Sequence, residues 1–269
     1  MEWIYGRQAV KLACAPGAKR RAHKLAGTPA ALAALSTALS SVRCERLTLS
    51  AAELDRLTGS SEHQGVALQV GDYPYVSVEE LLRGSLVVVL DEVSDPRNLG
   101  AVARSALAAG ADGLVVPKRR AARVTPAAVK AAAGATEHLA IARVTNVVAC
   151  LRDLQAAGFW VYGGAGQAER SYLDLQLTGK VALVFGAEGQ GLRRLVAETC
   201  DELGAIPLRW PMESLNVSVA AAVFLFEAAR QRAITKSGAR RTVVDGATTM
   251  RDVHRPEEAS VRREEVPPA

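Results

Sequence analysis

The hydrophobic pattern of the chain changes at Leu86. From there, short apolar runs recur as "LVVVL", "GLVVP", "FWVYGG" and "VALVFGAEG". A continuous valine-rich run predicts a strand buried on both faces. Alanine-rich segments stand between the runs, namely "NLGAVARSALAAG", "TPAAVKAAAGA" and "VVACLRDLQAAG", and each predicts a helix. Strands alternating with helices predict an α/β fold with a parallel sheet, whose ligands bind beyond the carboxyl ends of the strands. A last segment, "MESLNVSVAAAVFLFEAAR", predicts a buried helix from Val217 onward. Its front end crowds Ser214, Asn216 and Ser218 together, although one polar cap is enough for a helix.

Residues 1–70 mix helix and short strand and predict a small α/β domain. "IYGRQAVKLACA" predicts a helix start, and "TPAALAALSTALS" an alanine–leucine helix capped by Thr28 before Pro29. "HQGVALQV" ends in an alternating strand pattern. "GDYPYVSVEELLRGS", over residues 71–85, predicts a linker with a short helix. The sheet domain is expected over 86–235. Residues 236–269 mix charges of both signs with glycine and proline, which predicts a disordered tail.

A hydrophobic content of 49% is ample for a core, and with aromatics at 4% that core is built of Ala, Val and Leu. No uncharged apolar run reaches the ~18 residues of a membrane span, and "MEWIYGRQAVKL" lacks a signal-peptide pattern. Cys14, Cys44, Cys150 and Cys200 are isolated, so neither a metal site nor a disulfide framework is expected, and the protein is expected to be cytoplasmic. The formal charge is +5, and it is unevenly spread. No acid lies between Glu2 and Glu45 or between Asp112 and Glu137, while both stretches are rich in Lys and Arg. Basic blocks of this kind suit a polyanion such as nucleic acid.

Three loops follow predicted strands. In "LDEVSDPRNLGAVARSALAAG" the turn leads into a helix, and Asn98 and Arg104 could flank one ligand if that helix begins near Asn98. Taken alone, "DPRNLG" is an ordinary turn and helix cap. In "VFGAEGQGLRRL" three glycines let backbone approach a ligand. Their G-x-x-G-x-G order is not the dinucleotide fingerprint. Glu188 would repel phosphate and better suits a hydroxyl, an amine or a cation. In "AIPLRWPMESLNVS" the helix start offers free N–H groups beside Ser214 and Asn216.

In this order, the three loops resemble the three motifs of the SpoU branch of the SPOUT methyltransferases, closely over residues 86–232. Upstream, "IYGRQAV" and "HQGVALQV" resemble the ends of the family's small RNA-binding domain, a pairing most similar to the 23S rRNA guanosine-2′-O-methyltransferase subgroup. The resemblance implies a parallel-sheet SPOUT domain with a C-terminal trefoil knot, working as a homodimer. It implies methyl transfer from S-adenosylmethionine to a ribose 2′-hydroxyl of RNA, most simply a guanosine of 23S rRNA. Carried over by position, Asn98, Arg104, Glu188, Ser214 and Asn216 are the catalytic set. Gly186, Ile206 and Leu215 surround the cofactor's adenosine, and no metal is implied. A tRNA 2′-O-methyltransferase and a non-catalytic RNA-binding protein of the same fold are the alternatives. Arg209, Trp210 and Pro211 depart from the family pattern, standing where small residues are usual. A bulky Trp210 there would crowd the cofactor or stack on a purine.

Overall fold

A computed structural model describes residues 1–40 and 42–241. The chain runs β1 (Glu2–Tyr5), α1 (Arg7–Ala13), β2 (Ala22–Gly27), α2 (Pro29–Ala34), β3 (Glu45–Thr48), α3 (Ala51–Thr58) and β4 (Val66–Val70). It continues through α4 (Val78–Leu81), β5 (Leu86–Leu90), α5 (Pro96–Ala108), β6 (Gly113–Pro117) and α6 (Pro126–Ala131). After β7 (Ala140–Val144), α7 (Val147–Ala156), β8 (Trp160–Gly164) and β9 (Val181–Phe185) come α8 (Arg194–Thr199), β10 (Glu202–Gly204) and α9 (Val217–Arg241).

The larger sheet has six strands in the order β10-β8-β9-β5-β6-β7, all parallel. Its central strands β5, β6 and β9 are buried at every position, as the continuous apolar runs predict. Successive residues point to opposite faces. Leu86, Val88 and Leu90 enter one core with Leu99, Val102 and Phe224, while Val87 and Val89 enter a second with Leu151, Leu154 and Phe159. The α/β class is therefore as the sequence implies. The reading from apolar runs passes over β7 and β10. "AIARV" contains an arginine, and "ELG" is only three residues long.

Asp95 starts α5 by accepting a hydrogen bond from the Arg97 N–H at 2.8 Å, with Pro96 at the first helical position. Inside the helix Gly100 permits close packing on α6. A Cβ there would lie 2.3 Å from the carbonyl oxygen of Ala128. Burial pushes the Cys150 and Cys200 thiols up to about 12, so they stay protonated near neutral pH and act as packing residues.

The smaller sheet has the order β1-β4-β2-β3. Thr28 caps α2 as expected, accepting from Ala31 N–H at 3.3 Å. Strand β4 differs from the alternating pattern. It sits between β1 and β2, and Val66, Ala67, Leu68 and Val70 are all buried. His63 is buried just ahead of it, where its Nδ1 accepts from Gly65 N–H and its Nε2 lies 3.1 Å from Asp55 Oδ1.

Ile4, Leu25 and Leu68 of the smaller sheet and Val10 of α1 share one core with Leu99 of α5, Val129 of α6 and Leu139 just ahead of β7. A buried ion cluster locks the seam. Arg20 donates to both oxygens of Glu137, at 3.0 and 2.5 Å, and to Glu2. Burial opposes the Arg20 charge, but Glu137 and Glu2 outweigh it and raise its pKa. Segment 71–85 is likewise packed. Tyr73 Oη donates within 2.9 Å of the carbonyls of Thr136 and Leu139, and Val76 N–H donates to Ile141 O.

Two expectations change. Helix α9 is not buried all round, because Val219, Phe226 and Ile234 are exposed while Val217, Ala221, Phe224 and Leu225 pack inward. The tail expected from 236 begins inside α9, which runs to Arg241; residues 242–269 lie outside those described. Among the described residues no helix is long and apolar enough to cross a membrane.

Removing one partner of a buried pair strands the other charge, at a cost of about 3–5 kcal/mol. Glu137→Ala should lower stability by about that much, and adding Arg20→Met should recover part of the loss. Urea unfolding midpoints of both variants and the wild type check this.

Candidate functional site

Strands β5 and β9 are paired in register, from Leu86↔Val181 to Leu90↔Phe185. Their exits therefore emerge side by side. The β5 exit leads through Asp91 to Asn98 in the first turn of α5, and the β9 exit leads through Gly186 to Glu188. Helix α9 packs on α5 and returns Asn216 to the same place.

Three residues that the sequence singled out meet there. Asn98 Nδ2 donates to Glu188 Oε1 at 2.9 Å, Asn216 Nδ2 donates to Asn98 Oδ1 at 3.1 Å, and Asn216 Nδ2 also donates to Glu188 Oε1. Both amides act on the same carboxylate oxygen, which leaves Glu188 Oε2 free to accept from a ligand.

The polar excess at the start of α9 has two uses. Asn216 Oδ1 accepts from the Ser218 N–H at 2.9 Å and from the Ser218 hydroxyl at 2.6 Å, which caps the helix. That bond decides which end of the amide faces the cluster. With Oδ1 engaged by Ser218, Nδ2 must point at Asn98 and Glu188. Ser218 thus joins the cluster, and its sequence signal is the third polar group in the cap.

The glycine loop is tightly built. A Cβ at Gly186 would lie 2.0 Å from the Gly191 carbonyl oxygen, so only glycine fits. Gly189 and Gly191 have φ of 76° and 67°, in the left-handed region that glycine adopts without penalty. At the loop's exit, Asp91, with no exposure, accepts from Arg193 N–H at 3.1 Å and from the guanidinium at 2.9 and 2.5 Å. Those hydrogen bonds raise the Arg193 pKa. The Asp91–Arg193 pair couples residues 102 apart and carries no local sequence signal.

The side chains of the other candidates make no hydrogen bond to the cluster among the described residues. Arg104 is exposed on α5, roughly 9 Å along the axis from Asn98 and a third of a turn round. The helix begins at Pro96, so Arg104 does not lie in its first turns. Ser214 is exposed, and among the described residues neither its side chain nor that of Arg104 makes a hydrogen bond. Ile206 follows β10 and packs partly against the core; Leu215 precedes Asn216 and is partly buried. The β8 exit enters the same region, where a Cβ at Gly166 would lie 3.9 Å from the Glu213 carbonyl oxygen. Trp210 is 93% exposed, so its ring does not crowd the cluster.

The model of the SpoU rRNA Methylase family matches residues 85–226, and that of RNA 2′-O ribose methyltransferase substrate binding matches residues 3–76. The chain belongs to the SpoU rRNA methylase family. The 23S rRNA (guanosine-2′-O-)-methyltransferase RlmB of Xanthomonas campestris pv. campestris is 48% identical over 186 residues, covering 66% of this chain and 75% of that relative. The enzyme of the same name from Photobacterium profundum is 46% identical, covering 67% and 76%. Among solved structures, the SpoU methyltransferase AviRb from Streptomyces viridochromogenes in complex with the cofactor AdoMet superposes with a TM-score of 0.71. It is 27% identical, over 85% of this chain and 89% of that one.

The cofactor implied by the SpoU resemblance is S-adenosylmethionine, and the residues here suit it. Among the described residues, the backbone N–H groups of Ile206 and Leu215 have no acceptor within the chain, which leaves them for a base edge or ribose beside apolar side chains. Glu188 is hydrogen-bonded to Asn216, the residue after Leu215, and a carboxylate is compatible with a sulfonium cation but not with a diphosphate.

Gly186→Ala should force the SpoU glycine loop apart at its tightest point. Titration calorimetry with S-adenosylmethionine should show affinity reduced at least about tenfold, or ~1.4 kcal/mol. An unchanged affinity would remove Gly186 from the cofactor site.

Proposed function

We propose that this protein transfers a methyl group from S-adenosylmethionine to a ribose 2′-hydroxyl of RNA, the acceptor being a guanosine of 23S rRNA. The observation that carries this reading is the Asn98–Glu188–Asn216 cluster, built from three motifs in one place. The substrate assignment rests on the named activity of the relatives that are 46–48% identical.

When bound, S-adenosylmethionine supplies a methyl group on a positively charged sulfur, a good leaving group. The protein's task is then to hold the 2′-oxygen in line with that methyl, which can supply up to ~7–11 kcal/mol in ideal cases. Glu188 Oε2 accepts a hydrogen bond from the ribose 2′-hydroxyl and takes up its proton as the oxygen bonds to the methyl carbon, and the two asparagines keep the carboxylate aimed. Arg104 contacts RNA phosphate through its guanidinium and stabilises charge developing on the 2′-oxygen. Ser214 completes the ribose contacts, and Gly186, Ile206 and Leu215 present backbone to the adenosine.

The exposed apolar residues Val219, Phe226 and Ile234 on α9 support a homodimer formed through that face. Arg104, without an ion-pair partner among the described residues, would reach its phosphate near such an interface. The knotted passage belongs between β10, at the sheet edge, and α9, over its centre. We place the protein in the cytoplasm, where ribosomal RNA is assembled.

Asn216→Asp keeps size but replaces the Nδ2 donor with a second carboxylate oxygen beside Glu188. Labelled methyl transfer to 23S rRNA from cells lacking the protein should fall at least about 100-fold, the scale for losing one preorganised donor. Arg104→Ala should also abolish most label. Transfer to tRNA alone would overturn the substrate assignment, and no transfer by the wild type would overturn the activity.

A further inference from the structure

The cluster does not use the cations between Lys118 and Arg123, on the loop from β6 to α6. Strand β6 neighbours β5, so this loop leaves the same sheet edge as the loop that carries Asn98. The two loops are joined, because Ala122 N–H donates to Val93 O at 2.9 Å.

The loop's backbone is held along its length. Lys118 N–H donates to Val144 O at 2.7 Å, and Lys118 O accepts from Arg143 Nη2 at 2.8 Å. Val124 N–H donates to Tyr75 Oη at 2.9 Å. Its cationic side chains are free by contrast. Lys118, Arg119 and Arg123 are exposed and make no side-chain hydrogen bond or ion pair among the described residues. Arg120 alone faces an acid, with Nη1 3.6 Å from Glu92 Oε1, and Glu92 lies 3.4 Å from Arg193 Nη1. Both Glu92 and Arg120 adopt left-handed backbone, with φ of 59° and 55°. Such conformations are uncommon for these residues and cluster at ligand-holding segments.

An ordinary solvated surface intersperses acids with its cations. Here none lies between Asp112 and Glu137. Like charges held on a fixed backbone repel, and a polyanion relieves that repulsion. We propose that Lys118, Arg119 and Arg123 grip the sugar–phosphate backbone of the RNA beside the methylated nucleotide, a phosphate-binding surface on the catalytic domain itself. This rests on the RNA methyl-transfer reading above. The Arg120–Glu92–Arg193 chain ties the surface to the exit of the glycine loop, so that RNA and cofactor loop share one framework.

The test uses the full-length protein and transcribed, labelled 23S rRNA. In the double variant Arg119→Ala/Arg123→Ala, RNA affinity near physiological salt should fall about tenfold. The slope of log K against log salt should shrink by roughly 0.7–0.9 per lost contact. KM for RNA should rise more than kcat falls, with melting temperature and S-adenosylmethionine affinity unchanged. Arg119→Lys/Arg123→Lys should keep the wild-type salt slope. If wild-type protein methylates RNA but the alanine variant matches its affinity and slope, the surface assignment is overturned while the activity stands. A variant that loses dimerisation and keeps RNA binding would assign the loop to protein contact and overturn it as well. Absence of transfer by the wild type would remove the activity, and the surface with it.

Discussion

The pairing of β5 with β9 is the constraint on which the rest depends. Ten residues, Leu86–Leu90 and Val181–Phe185, are buried on both faces and matched one to one. A slip of one residue would turn every side chain to the wrong face, so the register is strongly specified. With register set, Asp91 and Gly186 leave the sheet at the same level. The Asp91–Arg193 pair then holds the end of the second loop to the end of the first strand. Glu188 and Asn98, 90 residues apart in sequence, meet because their strands end together.

The same register sets the location of the second layer. Leu86, Val88 and Leu90 face a core that continues through α5 and α6 into the small sheet. The small domain is thus an extension of that core, and Arg20, buried against Glu137, fixes its angle. Ion pairs of this kind contribute little net stability compared with apolar residues of similar size, but loss of one partner alone is costly because the other charge stays buried. A fixed angle between the small domain and the Asn98–Glu188–Asn216 cluster narrows the geometries that a ligand spanning both would have to search.

Helix α9 joins the structural and chemical roles. Its inward face, with Ala221, Phe224 and Leu225, anchors it to α5 and β9. Its start places Asn216, whose oxygen caps the helix and whose nitrogen reaches into the cluster. Capping and site geometry are one arrangement, so the polar crowd ahead of an apolar helix serves both purposes. The outward face, with Val219 and Phe226 exposed, remains for another surface.

Sequence by itself determined the fold class and singled out the three residues that meet in the cluster. Continuous apolar runs marked β5, β6, β8 and β9, since a strand buried on both faces needs no alternation. The resemblance of the three loops to the SpoU motifs marked Asn98, Glu188 and Asn216, and loops at the carboxyl ends of parallel strands lie at one end of the sheet. Strands β7 and β10 were not legible, one carrying an arginine and the other too short to show a pattern. Tertiary structure alone decided that Arg104 makes no side-chain hydrogen bond to the cluster among the described residues, that Ser218 orients Asn216, and that Arg193 binds Asp91. It alone set the small domain on a shared core. Periodicity along a chain reports which residues leave water, whereas hydrogen-bond partners a hundred residues distant depend on where the strands end.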